Sequence, residues 1–119
     1  MNHTISVSPQ AIMAAAVLDA NTRGSNLEIE QISMLFLDLE RIGIGVGDIA
    51  LRKVPGGVYS DDAEAFVGRF LAAGYAQARS PISFKEKGIE ICRSIVEKER
   101  EQNSDNLRTA LSALRLNMP

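Results

Sequence analysis

Residues 70–88 of the chain read FLAAGYAQARSPISFKEKG, and this stretch decides the fold. Gly74 closes an apolar helical segment, because glycine adopts the left-handed backbone conformation that ends a helix without strain. Two short extended runs, 75–79 and 82–84, flank Ser80-Pro81, and a lysine-rich turn follows them. The order predicts the end of a helix, a chain reversal, a small β-hairpin and the start of a further helix.

Upstream, the sequence predicts that the helix ending at Gly74 is capped by Ser60. A serine side chain accepts a hydrogen bond from the free amides of the first turn, and acidic residues in that turn stabilise the positive end of the helix dipole. These acids are Asp61, Asp62 and Glu64. The apolar positions at helical spacing behind them are Ala63, Phe66, Val67, Phe70 and Leu71.

Downstream, residues 85–102 have an amphipathic pattern with an apolar stripe at Ile89, Cys92, Ile95 and Val96. Asn103-Ser104 is expected to break this helix and to begin a short final helix over 104–116. A helix of this length is stable in water only when its apolar stripe packs on another surface. We therefore expect the C-terminal helix to dock on the rest of the chain or on a second copy.

The N-terminal part, residues 9–42, is predicted to contain two helices. Ser8-Pro9 is a favourable helix start, and the stretch 11–18 that follows is apolar around its whole circumference. Such a helix is buried on several sides, either within one chain or between two copies. The second helix is predicted over 26–42, and a short helix is expected at 48–53, before a turn at 55–57.

This order of elements resembles the winged-helix superfamily of helix-turn-helix proteins over residues 48–100. In that superfamily, the last helix of the triad often ends in a leucine-x-x-x-glycine-tyrosine phrase, and the second wing strand often runs into a threonine-glutamate-lysine-glycine phrase. The corresponding stretches here are Phe70-Leu71-Ala72-Ala73-Gly74-Tyr75 and Ser83-Phe84-Lys85-Glu86-Lys87-Gly88. The resemblance implies one α+β domain over residues 1–119, mainly α with a small β-hairpin, with helical extensions at 9–42 and 104–116. These extensions are similar in layout to the dimerising helices of small bacterial regulators of the PadR and MarR type.

The resemblance further implies a dimeric transcriptional regulator that binds double-stranded DNA with the helix over 61–74 and the hairpin behind it. Residues 68–100 hold 7 basic and 4 acidic residues, a local charge of +3, whereas the whole chain has a net charge of −2. The polar residues of the hairpin and the two lysines after it, Arg79, Ser80, Ser83, Lys85 and Lys87, are explained equally well as solvated groups of a turn and a helix start. The candidate DNA contacts are side chains that donate to phosphates: Arg69, Arg79, Ser80, Ser83, Lys85 and Lys87.

Acidic residues at the start of the same helix indicate a different function. Asp61 and Asp62 repel phosphates instead of binding them, and Arg69 is the sole strong donor on the outward face of the helix. The alternative hypothesis is therefore a winged-helix module for protein–protein interaction without DNA binding. It would hold a protein partner through this acidic helix start or through the apolar N-terminal helix.

Self-association is expected, because a chain of 119 residues has limited room to bury a helix that is apolar on every side. A homodimer would place the N- and C-terminal helices at the contact between the two copies. The candidate interface residues are the apolar side chains of those helices: Ile12, Met13, Val17, Leu107, Leu111 and Leu114.

Composition and motifs argue against an enzyme, a metal protein and a membrane protein. The chain has one cysteine, in an apolar pattern, and one histidine, His3, so the sequence supports no nucleophile–base pair. The neighbouring carboxylates Asp61 and Asp62 point in different directions on a helix and make a poor metal site. No apolar stretch approaches the roughly 20 residues of a transmembrane helix. We expect no cofactor, no bound metal and a cytoplasmic location.

Overall fold

The computed structural model describes residues 5–117, which have an α+β architecture dominated by helices. The helices within that range are α1 Pro9–Arg23, α2 Ile29–Arg41, α3 Asp61–Ala72 and α4 Glu86–Leu114. The strands are β1 Ile5–Ser6, β2 Ile44–Gly45, β3 Leu51–Val54, β4 Gly57–Ser60, β5 Ala76–Arg79 and β6 Ile82–Phe84. β1 pairs with β2 in parallel, whereas β3–β4 and β5–β6 are antiparallel hairpins. The predicted α+β class is confirmed.

Helix α1 lies at the centre of the fold and packs against α3 and α4. Its start and end follow the sequence: Ser8 Oγ accepts from the amide of Ala11 at 3.2 Å, and Gly24 ends the helix at φ +67°. Every residue from 11 to 20 is buried. The apolar circumference of this helix is therefore explained by burial within one chain.

Helix α2 turns one apolar face toward the core and toward strand β4. It begins at Ile29, later than the predicted start at residue 26, because the carbonyl of Leu27 accepts from the amide of Ile82 at 2.8 Å and holds that segment extended. Glu28 then closes a capping box with Gln31. Ile42, the last residue of the predicted helix, is 54% exposed because the helix ends one residue before it.

The predicted short helix at 48–53 is wrong. Strand β3 occupies the end of this segment and pairs with β4 across Pro55-Gly56, with Arg52 opposite Tyr59. Proline presets the backbone of the first turn position, and Gly56 at φ +87° supplies the left-handed second position. A tight turn between two paired strands is more stable here than a helix of six residues, which is too short to be stable alone. The segment before α3 is therefore a β-hairpin.

The two sequence phrases that carried the family resemblance contact one another. Gly74, at φ +80°, reverses the chain after α3, and the Tyr75 amide donates to the Phe70 carbonyl at 2.8 Å. The Tyr75 carbonyl accepts from the Lys85 amide at 2.9 Å, and Gly88 packs against the same carbonyl oxygen. The predicted sequence of helix end, hairpin and helix start is confirmed at this junction.

Helix α4 is bent at Asn103, whose φ of −152° and ψ of 44° interrupt the helix where the sequence predicts a break. The Asn103 side chain donates to the Ser6 carbonyl at 2.8 Å and to Glu99 Oε2 at 3.0 Å. Glu99 Oε2 also accepts from the Ser8 amide at 3.0 Å. The bend therefore fastens β1 and the start of α1 to the long helix. Within residues 5–117, no helix has the length and apolar character needed to cross a lipid bilayer.

Cys92 lies on the inward face of α4 and is completely buried. Burial disfavours the thiolate and raises the pKa of the Cys92 thiol to about 12. Because the thiolate is the reactive species, we expect native protein at pH 8 to resist a thiol-specific chromogenic reagent and urea-unfolded protein to react at once. The time course of labelling with and without urea measures this. Equal rates in the two states would contradict the burial of Cys92.

Candidate interaction surface

Glu64, on the first turns of α3, connects this helix to both β-hairpins. The Tyr59 hydroxyl of β4 donates to Glu64 Oε2 at 2.9 Å. The Arg79 guanidinium of β5 donates to Glu64 Oε1 at 3.2 Å. One carboxylate therefore places the two hairpins on either side of the start of α3.

Arg52 extends this network along β3. Its guanidinium pairs with Asp61 Oδ1 at 3.2 Å and lies 4.7 Å from the centre of the Tyr59 ring, in cation–π contact. Burial, followed by the hydrogen bond to Glu64, raises the pKa of Tyr59 above 10. The neutral phenol is thus favoured by folding, so its contribution to stability is complete below pH 10 and is lost as the pH rises through the folded-state pKa.

The tip of the β5–β6 hairpin lies against the start of α2. Ser80 Oγ donates to Glu28 Oε1 at 2.6 Å, and the Ile82 amide donates to the Leu27 carbonyl at 2.8 Å. The hairpin predicted from the sequence is present. Its tip is bound to the body of the protein by these two contacts.

The predicted DNA contacts fall on different parts of the surface. Arg69 lines a cavity of about 260 Å³ that includes Asp48, Asp62 and the N-terminal end of α1. Ser83 lines another, of about 280 Å³, at the C-terminal end of α1. A helix of 15 residues separates these ends by about 20 Å. Arg69 and Ser83 therefore lie near opposite ends of α1, whereas Arg79 and Ser80 are neighbours in the chain.

The lysines after the hairpin lie at the start of α4. Lys85 is the exposed N-cap residue and makes no side-chain capping bond. Lys87 is exposed and lies 3.8 Å from Glu90 Oε2, one helical turn away. Both lysines are therefore exposed and directly follow the β5–β6 hairpin, as the sequence predicts.

The predicted homodimer contacts are mostly covered by the chain itself. The side chains of five of them have an exposed fraction of 7% or less, and Leu114 is partly buried. The five buried residues are Ile12, Met13, Val17, Leu107 and Leu111. A homodimer remains a prediction, and these five side chains are core residues within one copy.

Sequence reasoning missed the contacts by which Glu28, Arg52, Tyr59 and Glu64 join the two hairpins to α2 and α3. A local signal existed for two of them, because Arg52 and Tyr59 are equidistant from the Pro55-Gly56 turn and so face each other in a hairpin. The contacts of Glu28 and Glu64 depend on where the second hairpin packs. No pattern in the sequence indicates that position.

Candidate metal ligands and relatives give no further indication of function. Within residues 5–117, no group of three or more His, Cys, Asp or Glu side chains is arranged to hold a metal ion. His3 lies outside the described residues. No protein-family model, curated protein or solved structure matches the chain.

Proposed function

We propose that the chain is a non-enzymatic module of winged-helix type that binds a protein partner through the acidic start of α3 and the adjacent β3–β4 hairpin. The winged-helix assignment is supported by the order of α3, hairpin and α4, and by the contact between Tyr75 and Gly88. No cofactor or catalytic group belongs to the proposal.

The observation that carries the proposal is the presence of carboxylates beside the predicted DNA contacts. Arg79 pairs with Glu64, Lys87 with Glu90, and Ser80 donates to Glu28. Exposed ion pairs contribute little to stability, but each carboxylate cancels the local field that would attract a phosphate. A hairpin whose donors already face carboxylates of the same chain is poorly suited to DNA.

The acidic start of α3 is exposed, and one of its carboxylates, Asp62, has no ion-pair partner within residues 5–117. Asp61 has 69% of its side chain exposed even though it pairs with Arg52, and Asp62 is also exposed. The apolar helix α1, which the sequence offered as a second docking surface, is buried within the chain. Protein binding is thus assigned to the surface around Asp61 and Asp62.

Fluorescence anisotropy with a labelled 30-base-pair duplex of random sequence tests the exclusion of DNA. At low salt we expect the wild-type protein to bind with a dissociation constant above about 100 µM, weaker than usual non-specific DNA binding. The triple variant Glu28→Gln/Glu64→Gln/Glu90→Gln is expected to bind at least about tenfold more tightly, because it removes three negative charges beside Arg79, Ser80 and Lys87. Micromolar, salt-dependent binding by the wild type would overturn the proposal.

A matched control separates local from overall charge. The variant Glu40→Gln/Glu97→Gln/Glu101→Gln changes the net charge by the same amount but leaves Glu28, Glu64 and Glu90 intact, and we expect it to behave as the wild type.

The protein partner itself is sought by cross-linking in the source cells. Asp61→Asn/Asp62→Asn is expected to reduce recovery of the cross-linked protein, whereas Asp38→Asn/Asp105→Asn is not. Recovery of nucleic acid alone would contradict protein binding.

A further inference from the structure

The outer edge of strand β3 presents backbone groups that the fold does not use. In a hairpin with a two-residue turn, the residue pairs alternate between hydrogen-bonded and non-hydrogen-bonded rows. Here the Val54–Gly57 and Arg52–Tyr59 rows are bonded, so the amides and carbonyls of Leu51 and Lys53 point away from β4. The opposite strand confirms this register, because Ser60, which faces Leu51, donates its amide outward to Ser33 Oγ at 2.8 Å.

In the described part of the chain, one edge of the β3–β4 hairpin is covered by a helix, and the other edge is not. Helix α2 packs along β4, and its Ser33 side chain accepts the hydrogen bond from the outward-facing amide of Ser60. On the β3 side, the backbone groups of Leu51 and Lys53 have no hydrogen-bond partner among residues 5–117. Natural proteins limit unspecific pairing at such edges with short strands, lysine and proline, and β3 has Lys53 and the following Pro55. Such an edge still pairs with a short segment whose charge complements the lysine.

A small cavity of mixed polarity adjoins this edge. It measures about 180 Å³ and includes Leu51, the first residue of β3. Its other apolar walls come from α2, β2 and the loop before β3, namely Phe36, Ile44, Val46 and Ile49, and Glu40, Gly45 and Gly47 complete the lining. A strand added beside β3 directs alternate side chains to one face, so a residue opposite Leu51 is placed to fill this cavity.

Lys53 supplies a charge on the same face. Residues two positions apart on a strand point to the same side, so Lys53 and Leu51 share one face while Arg52 is turned to Tyr59 and Asp61 on the other. Lys53 is exposed and has no ion-pair partner within the described chain. A carboxylate two positions from the apolar side chain of an added strand would meet it.

We infer that an extended segment of the protein partner adds a third strand at the outer edge of β3, with an aliphatic side chain in the Leu51 cavity and a carboxylate two positions away against Lys53. The inference rests on the proposed function and names the kind of segment bound. A second copy of this chain fits poorly, because pairing two β3 strands brings four cations, Arg52 and Lys53 from each copy, onto neighbouring strands.

The experiment uses synthetic ten-residue peptides rich in threonine that contain Glu-Thr-Leu or Leu-Thr-Glu, with matched peptides in which lysine replaces glutamate. Hydrogen exchange followed by NMR reports the amides of Leu51 and Lys53. At saturating peptide we expect at least about tenfold slower exchange of both amides with an acidic peptide, and no such protection with its lysine counterpart.

Two substitutions of Lys53 separate the contribution of its backbone amide to peptide binding from that of its side-chain charge. Lys53→Pro removes an amide that the β3–β4 ladder does not use, and we expect at least about tenfold weaker peptide binding. Lys53→Glu retains the amide and is expected to reverse the charge preference, so that the lysine peptides bind and the acidic peptides do not. This variant tests the docking site even if Lys53→Pro does not fold. Lys98→Glu, on the exposed side of α4, is the matched control and should bind the acidic peptides as the wild type does.

Failure of this inference is distinguishable from failure of the proposed function. Absence of binding by every peptide, protection at other amides, or unchanged binding by Lys53→Pro would overturn the β3 edge as the docking site. A cellular partner that still binds Lys53→Pro with wild-type affinity would do the same, while leaving protein binding in place. DNA binding by the wild type, by contrast, would overturn the function itself.

Discussion

Replacing Gly88 with alanine is expected to lower the free energy of unfolding by about 3 kcal/mol or more. A Cβ atom at this position would lie 2.4 Å from the Tyr75 carbonyl oxygen and 3.2 Å from Cδ2 of Phe84. The oxygen belongs to the backbone and cannot rotate away as a flexible side chain would. It also accepts from the Lys85 amide at 2.9 Å, so relief of the clash displaces the start of α4.

Gly68→Ala is the matched control for this prediction. Gly68 lies within α3, and a Cβ there meets no atom within 4 Å. Alanine in a helix is more favourable than glycine by roughly 0.5–1 kcal/mol, so this variant should be slightly more stable than the wild type. Urea unfolding followed by circular dichroism measures both. Wild-type stability of Gly88→Ala would contradict the close packing of α4 on Tyr75.

Gly88 also illustrates what the sequence could and could not predict. The phrase that ends in Gly88 marked the start of a helix, because a turn and an amphipathic pattern are local features. The reason for glycine within the first turn is a contact with Tyr75, 13 positions earlier in the chain. Local patterns therefore predicted the order of elements around the hairpin, whereas the contact that requires this glycine depends on tertiary packing.

The same distinction explains the outcome at the candidate site. Arg79 and Ser80 were predicted as free donors on a wing, and the sequence around them supports a hairpin. Their partners Glu64 and Glu28 are 15 and 52 positions away, and only the packing of the hairpin against α2 and α3 brings them within hydrogen-bond distance. A charge count along the sequence shows a local excess of cations but not the carboxylates that neutralise them.

The error at 48–53 has a different origin. Pro55-Gly56 was correctly taken as a turn, but the residues before it were given to a helix because no strand alternation is evident in so short a run. The structure pairs them with β4, and α2 completes the arrangement by accepting the Ser60 amide. The strand edge proposed for partner binding therefore lies in a segment where the sequence predicted the wrong secondary structure.

Ser33→Ala is expected to lower the free energy of unfolding by about 2 kcal/mol. Ser33 Oγ accepts from the Ser60 amide and donates to the Ile29 carbonyl, each at 2.8 Å, and both serines are completely buried. Alanine leaves the Ser60 amide buried without an acceptor, which costs about 1–3 kcal/mol. The better helix propensity of alanine offsets only a few tenths of this.

Loss of this hydrogen bond should also loosen the hairpin, because Ser60 ends β4 and caps α3 through its own hydroxyl, which accepts from Ala63 at 3.0 Å. We expect faster hydrogen exchange at the Ser60 amide in the variant and weaker peptide binding at the opposite edge of the same two-stranded sheet. Ser94→Ala, at an exposed position of α4, is the control and should change stability by less than about 0.5 kcal/mol. An equally small effect of Ser33→Ala would mean that another acceptor replaces Ser33, and that α2 does not hold the hairpin through this bond.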